Sequence, residues 1–130
     1  MRNIGKSSGA ASVVLVGLES DQMGAVRETL AAEAVLPNSS VSFGDAIPVV
    51  ERTRPDVVIV GYMRSVENSI ALAEDLTRTN PNVVLVALSN TREADQILAA
   101  MRAGYKEFVV LPDDASRLRQ VVHELSLIHI

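Results

Sequence analysis

The sequence contains no cysteine, which excludes disulfides, thiolate metal sites and thiol nucleophiles. A cysteine-free chain fits a reducing compartment, and the cytoplasm is the expected location. Tryptophan is absent and aromatic residues make up only 3% of the 130 residues, so a core must come from Val, Leu, Ile and Ala. Long hydrophobic runs are missing as well. VVLVAL at 83–88 is among the longest and falls far short of the roughly 20 residues that cross a bilayer, so no membrane insertion is expected. The opening MRNIGKSSGAAS is small and polar, with no apolar stretch; residues 1–11 read as a flexible leader rather than a secretion signal. Basic residues are not in excess either. The formal net charge is −4, whereas a nucleic-acid binder usually shows a basic face, so no nucleic-acid partner is expected. No internal repeat or low-complexity block is present.

What is there is ordinary for a folded domain: 48% apolar and 22% charged residues, a balance unlike that of disordered chains. Four Val-rich runs stand out: SVVLVG at 12–17, DVVIVG at 56–61, NVVLVALS at 82–89 and EFVVL at 107–111. They are continuous rather than alternating, as strands covered on both faces are. A fifth run, SSVSF at 39–43, alternates and suits an edge strand. Helical patterns fill the gaps. Ala94, Ile97, Leu98 and Met101 fall on one helical face, with Asn90 and Glu93 at capping-box spacing and Gly104 just past the end. Leu118, Val121, Val122 and Leu125 repeat the stripe behind an Asp113 or Asp114 cap. Met23, Val26 and Leu30 mark an earlier helix capped by Ser20 or Asp21. Asp45 is the expected cap of a short helix with Pro48 in its first turn, and a further helix covers about Ser65 to Thr79.

Alternation of strand and helix in this way implies a parallel sheet with helices on both faces. Five of each point to an α/β flavodoxin-like, doubly wound sheet of order 2-1-3-4-5, filling residues 12–126 and followed by a short tail at 127–130. In such sheets reacting groups sit beyond the carboxyl ends of the strands. The residues there are Gly17 to Asp21, Gly61 to Met63, Ser89 and Asn90, and Leu111 and Pro112.

This order, with PDVVIVGYM, NPNVVLVALSN and ILAAMRAGYKEFVVLP, resembles the CheY-like receiver domain of two-component response regulators across about residues 12–125. The resemblance implies a phosphoacceptor aspartate ending the third strand, an acidic Mg²⁺-binding pair after the first, Ser or Thr ending the fourth, and a Lys before Pro ending the fifth. Here Gly61 stands at the aspartate, Gly17 and Leu18 at the acidic pair, and Leu111 at the lysine before Pro112. Ser89 matches, and Phe108 matches the aromatic switch position.

Glycine carries no carboxylate nucleophile, leucine no oxygen ligand for a hard cation, and no cation is left to pair with a phosphoryl oxygen. The pattern is that of a vacated site, with no enzyme activity, cofactor or metal expected. Neither His123 nor His129 has metal-site spacing.

Function then moves to a surface. The resemblance implies partner docking or homodimerisation through the fourth helix, fifth strand and fifth helix. That face would draw on Arg92, Asp95, Gln96, Ala99, Arg102, Tyr105, Lys106, Arg117, Arg119 and Gln120. Phrases such as MRAGYKEFVVLP also resemble the N-terminal domain of MinD-like ATPases of Flp (Tad) pilus assembly. That implies a receiver-like module for localisation and self-association, although the phosphate-binding loop G-x-x-x-x-G-K-[ST] is absent from these residues. Two other readings stand beside it. One is a working receiver using Glu19 or Asp21; the other is a small-molecule sensor using a crevice lined by Leu18, Gly61, Tyr62 and Leu111. The family pattern further implies a cis Leu111–Pro112 bond.

Overall fold

The structure, a computed structural model, describes residues 10–128. Most of the leader, together with His129 and Ile130, lies outside the described residues. Five parallel strands, β1 (Ala11–Val16), β2 (Ala34–Val35), β3 (Val57–Gly61), β4 (Val84–Ser89) and β5 (Glu107–Val110), form one sheet of order β2-β1-β3-β4-β5. The connecting helices are α1 (Ser20–Leu30), α2 (Phe43–Thr53), α3 (Val66–Thr79), α4 (Ala94–Ala103) and α5 (Ala115–Ile128), with a 3₁₀ turn at Tyr62–Arg64. β1 begins one residue inside the stretch read as leader, and α5 continues into the stretch read as tail.

The Val-rich runs are continuous because both faces of the sheet are covered. Val14, Val16, Val58, Val60, Leu85 and Ala87 pack beneath α2, α3 and α4, while their neighbours Val13, Leu15, Val57, Ile59, Val86 and Leu88 pack beneath α1 and α5. The period-two alternation of strand side chains supplies both layers from the same runs. Register brings Val16 beside Val60, Gly61 beside Leu88 and Ser89 beside Val110, so the strand ends form one rim.

Local details correct the sequence reading. The edge strand is Ala34–Val35, not 39–43; in the latter stretch only Val41 pairs, in an isolated bridge to Val16, and Phe43 already starts α2. α1 is capped by Glu19, whose backbone N–H donates to Gln22 Oε1 at 3.1 Å. α2 is capped by Ser42, whose hydroxyl accepts from Asp45 N at 3.3 Å, and Pro48 lies mid-helix rather than in the first turn. The α4 cap is Glu93, without a side-chain bond to the helix. The Asp114 carboxylate turns back to β5 and accepts from Val110 N at 2.9 Å.

On α4, burial falls on Ala100 and Ala103, leaving Leu98 50% and Met101 40% exposed. The expected apolar face is therefore only partly turned inward. The Leu111–Pro112 bond is cis.

Candidate functional site

At the carboxyl rim of the sheet the sequence leaves Gly61 without a side chain, and the surrounding backbone occupies the space. A Cβ built on Gly61 would lie 2.3 Å from Gly17 O and 2.9 Å from Gly17 C. Real Cβ atoms do not approach backbone so closely, so no L-residue fits unless the β1–α1 loop retreats. Gly17 has φ +67°, a conformation that favours glycine, and a Cβ there would lie 2.7 Å from Phe43 Cε2. The two glycines are thus coupled: the turn at Gly17 lets the chain cross over the end of β3.

A clasp holds this crossing in place. Gly17 N donates to Val41 O at 2.9 Å, and Val41 N donates to Leu15 O at 2.8 Å. The Ser40 hydroxyl accepts from Leu18 N and donates to Leu18 O, both at 3.2 Å. Phe43 lies against Gly17. The stretch 39–43, expected to be a strand, therefore pins the loop over the vacated position. Arg64 adds a link from the β3–α3 turn to Glu19 at 3.5 Å. Between exposed side chains this ion pair contributes little.

Leu18 is buried with the cluster beneath α1 and α5. Tyr62, immediately after Gly61, is also fully buried. It packs edge-to-face on Tyr105 and Phe108, with ring centroids 5.6 Å and 5.7 Å away. The Tyr105 hydroxyl donates to Ser69 O at 2.8 Å, and Ser69 Oγ donates to Tyr62 O at 3.0 Å. This network riveting β3, α3 and β5 together corrects the placement of Tyr105, which is 2% exposed and is not an interface residue. Burial raises the pKa of both tyrosines. Among the described residues the Tyr62 hydroxyl has no hydrogen-bond partner, an arrangement that burial normally disfavours. All four aromatics of the chain thus gather near this rim or in the rivet beneath it.

The other predicted positions divide. Ser89 is buried, and its hydroxyl donates to Thr91 O at 2.9 Å and accepts from Thr91 N at 3.2 Å, closing a local turn. Phe108 is buried in the aromatic cluster, Leu111 is half-buried and Pro112 is exposed. Asp21, Ser89, Asn90 and Leu111 do meet, in a cleft of about 80 Å³, well under the roughly 300 Å³ at which small-molecule sites begin. Of the residues expected to line a crevice, only Leu111 reaches this cleft; Leu18 and Tyr62 are buried, and Gly17 O occupies the space over Gly61. Asp21 brings one carboxylate to the cleft and uses Oδ1 to accept from Gln22 N at 3.0 Å. Among the described residues no group of three or more His, Asp or Glu side chains comes together to hold a metal. A larger apolar groove, about 500 Å³, runs along β1 as far as Leu15 and Val41 of the clasp, on the side where β2 spans only two residues.

On the α4–β5–α5 side, Arg92 pairs with Asp114 at 2.7 Å and Arg117 chelates Glu107 through Nε and Nη2, each at 3.0 Å. Asp95, Arg102, Lys106, Arg119 and Gln120 are exposed, and Gln96 and Ala99 are half-buried. Sequence reasoning did not count Leu98 and Met101 among the interface residues. Their place in the apolar stripe of α4 assigns them to the core in the sequence, whereas the structure leaves them 50% and 40% exposed.

The family model described as the pilus assembly protein TadZ N-terminal region matches residues 10–127. The chain belongs to this TadZ N-terminal family. Among solved structures it is similar to a CheY-like protein, tadZ, of Pseudomonas aeruginosa PAO1, at 27% identity over 87% of this chain and 97% of that one, with TM-score 0.69. A response regulator of Thermotoga maritima shares 18% identity over 91% and 98% of the two chains with TM-score 0.72, a likeness of fold. The chemotaxis protein CheY of Thermotoga maritima is 23% identical over 82 residues, covering 63% of this chain and 68% of that protein. The TadZ N-terminal chain is thus built on a receiver fold, with Gly61 closed over by the β1–α1 loop.

Proposed function

We propose that this chain is a phosphorylation-independent interaction module of pilus assembly. It works in the cytoplasm without catalysis and docks protein partners, itself included, through the α4–β5–α5 surface. The observation that carries this reading is the 2.3 Å approach of Gly17 O to the position a Cβ would take at Gly61. A receiver needs a carboxylate there to accept phosphorus, and here even a methyl group is excluded. Phe108, the counterpart of the switch aromatic, is buried and packs edge-to-face on Tyr62.

Family membership supports the pilus context, and in a longer protein such a module would position an attached ATPase. The runner-up, a receiver working through Glu19 or Asp21, is disfavoured by geometry: Glu19 is turned to Arg64 and Asp21 to the α1 backbone.

The test is the association state of the purified chain by analytical ultracentrifugation, with and without a small phosphodonor and Mg²⁺. The same distribution in both is expected. Association that appears only with the phosphodonor would refute phosphorylation independence.

A further inference from the structure

We infer that the groove along β1 is a docking site for an extended, uncharged peptide segment of a protein partner, which completes an interrupted rung at the edge of the sheet. The site lies at the opposite edge of the sheet from β5 and does not depend on the docking reading above.

Backbone direction locates the gap. Asp56 N donates to Ser12 O at 2.9 Å, whereas Val41 N donates to Leu15 O and Gly17 N to Val41 O. Successive strand residues turn their backbone groups to alternate sides, so Ser12, Val14 and Val16 serve β3 while Val13 and Leu15 face the β2 edge. β2 covers that edge only through the pairs Ala11–Ala34 and Ser12–Val35. Val41 covers it again beyond Leu15. Between the two, Val13 O and Leu15 N have no hydrogen-bond partner among the described residues. Val13 and Leu15 are only 7% and 1% exposed, and buried backbone groups are rarely left unpaired.

The sequence explains the interruption. Continuing the Ser12–Val35 register would bring the N–H of residue 37 to Val13 O, and Pro37 has none. The chain therefore leaves the ladder after Val35 and rejoins it only at Val41.

The space that remains selects its occupant. Val13, Leu15, Val35, Pro37 and, from α2, Val49 line a groove of about 500 Å³, large enough for a ligand. No charged residue lines it, so a charged segment would be desolvated there without a partner. One residue of an extended segment carries both the N–H that Val13 O lacks and the C=O that Leu15 N lacks, as when a strand is added to an open edge. A purely apolar ligand would fill the groove and leave both backbone groups unpaired.

The test is an amide NMR titration of the whole chain with the capped peptide acetyl-Ser-Val-Thr-Val-Ser-amide. Shifts are expected at Val13 to Leu15, Val35 and Val49, with hydrogen exchange at Leu15 slowed about tenfold or more. The same peptide N-methylated along its centre cannot donate and should bind about tenfold more weakly, the effect of one lost hydrogen bond. Ser39→Trp, at an exposed residue of the groove wall, should abolish binding while a thermal melt shows the fold kept.

No shift along β1 at millimolar peptide would overturn the inference. Equal binding of the N-methylated peptide would overturn the missing rung, and wild-type affinity in Ser39→Trp would place the peptide elsewhere. Uptake of n-octanol but not of the peptide would overturn a peptide as the occupant. None of these outcomes bears on phosphorylation independence.

Discussion

A Cβ at Gly61 would fall within 2.3 Å of Gly17 O, so the missing side chain at the end of β3 is a packing requirement as well as a chemical loss. Gly61→Ala is expected to lower stability by about 1–3 kcal/mol, the usual range for forced overpacking, measured as a shifted midpoint in urea. Gly61→Asp should cost more and still give no phosphoacceptor, since the carboxylate must displace the loop to exist there. A Gly61→Asp chain that is fully stable and takes up phosphorus would show that the loop yields. Tyr62 makes the opposite case. Its buried hydroxyl lacks a partner among the described residues, so Tyr62→Phe should leave stability unchanged or raise it by about 1 kcal/mol; a large loss would reveal a partner such as bound water. The vacancy at Gly61, Gly17, Leu18 and Leu111 is legible in the sequence because hydrophobic runs locate the strand ends and the resemblance to receiver domains implies which side chains stand there. The closure is not legible, because it depends on two backbones separated by more than forty residues. Tyr105 was misplaced for a similar reason: its partner, Ser69 O, is 36 residues away in the chain.

Elements were legible where pattern and burial agree, as in the four Val-rich strands and in α5, whose Leu118 and Val122 are buried. They were misread where a short segment serves another element. SSVSF alternates like a strand, yet its Ser40, Val41 and Phe43 clasp the β1–α1 loop. Ser40→Ala should therefore loosen the loop and cost about 1 kcal/mol, visible as faster amide exchange at Leu18; unchanged exchange would remove Ser40 from the clasp. The α4 stripe misled for a different reason. Ala100 and Ala103 let the helix sit close, turning Leu98 and Met101 outward.

Asp114 ties the start of α5 to both β5 and the β4–α4 loop. Burial works against its charge but is outweighed by hydrogen bonds from Val110 N and Arg92 and by the fields of Arg92 and Arg117, so its pKa lies below the usual carboxylate value. A lowered folded-state pKa stabilises above the unfolded value of about 3.9, and that contribution fades as pH falls through the still lower folded value. Asp114→Asn should accordingly lose about 1 kcal/mol at neutral pH, with the gap to wild type narrowing below about pH 4. A gap independent of pH would assign the loss to packing.

The described residues form a five-stranded sheet in the order expected from the sequence, with helices covering both faces and a receiver's architecture around a rim where Gly17 O lies over Gly61. Its parts agree with one another. The loop fills the place of the acidic residue, the aromatic rivet fixes the β3–α3 turn to β5, and polar side chains at the rim satisfy local backbone or nearby charges. On the reading proposed above, a receiver frame kept without its phosphoacceptor leaves the outer surface to carry function. Intact-mass measurement after incubation with a small phosphodonor and Mg²⁺ tests that claim most directly. The mass is expected to remain that of the unmodified chain; a stoichiometric phosphoryl adduct, mapped to any carboxylate at the rim, would contradict it.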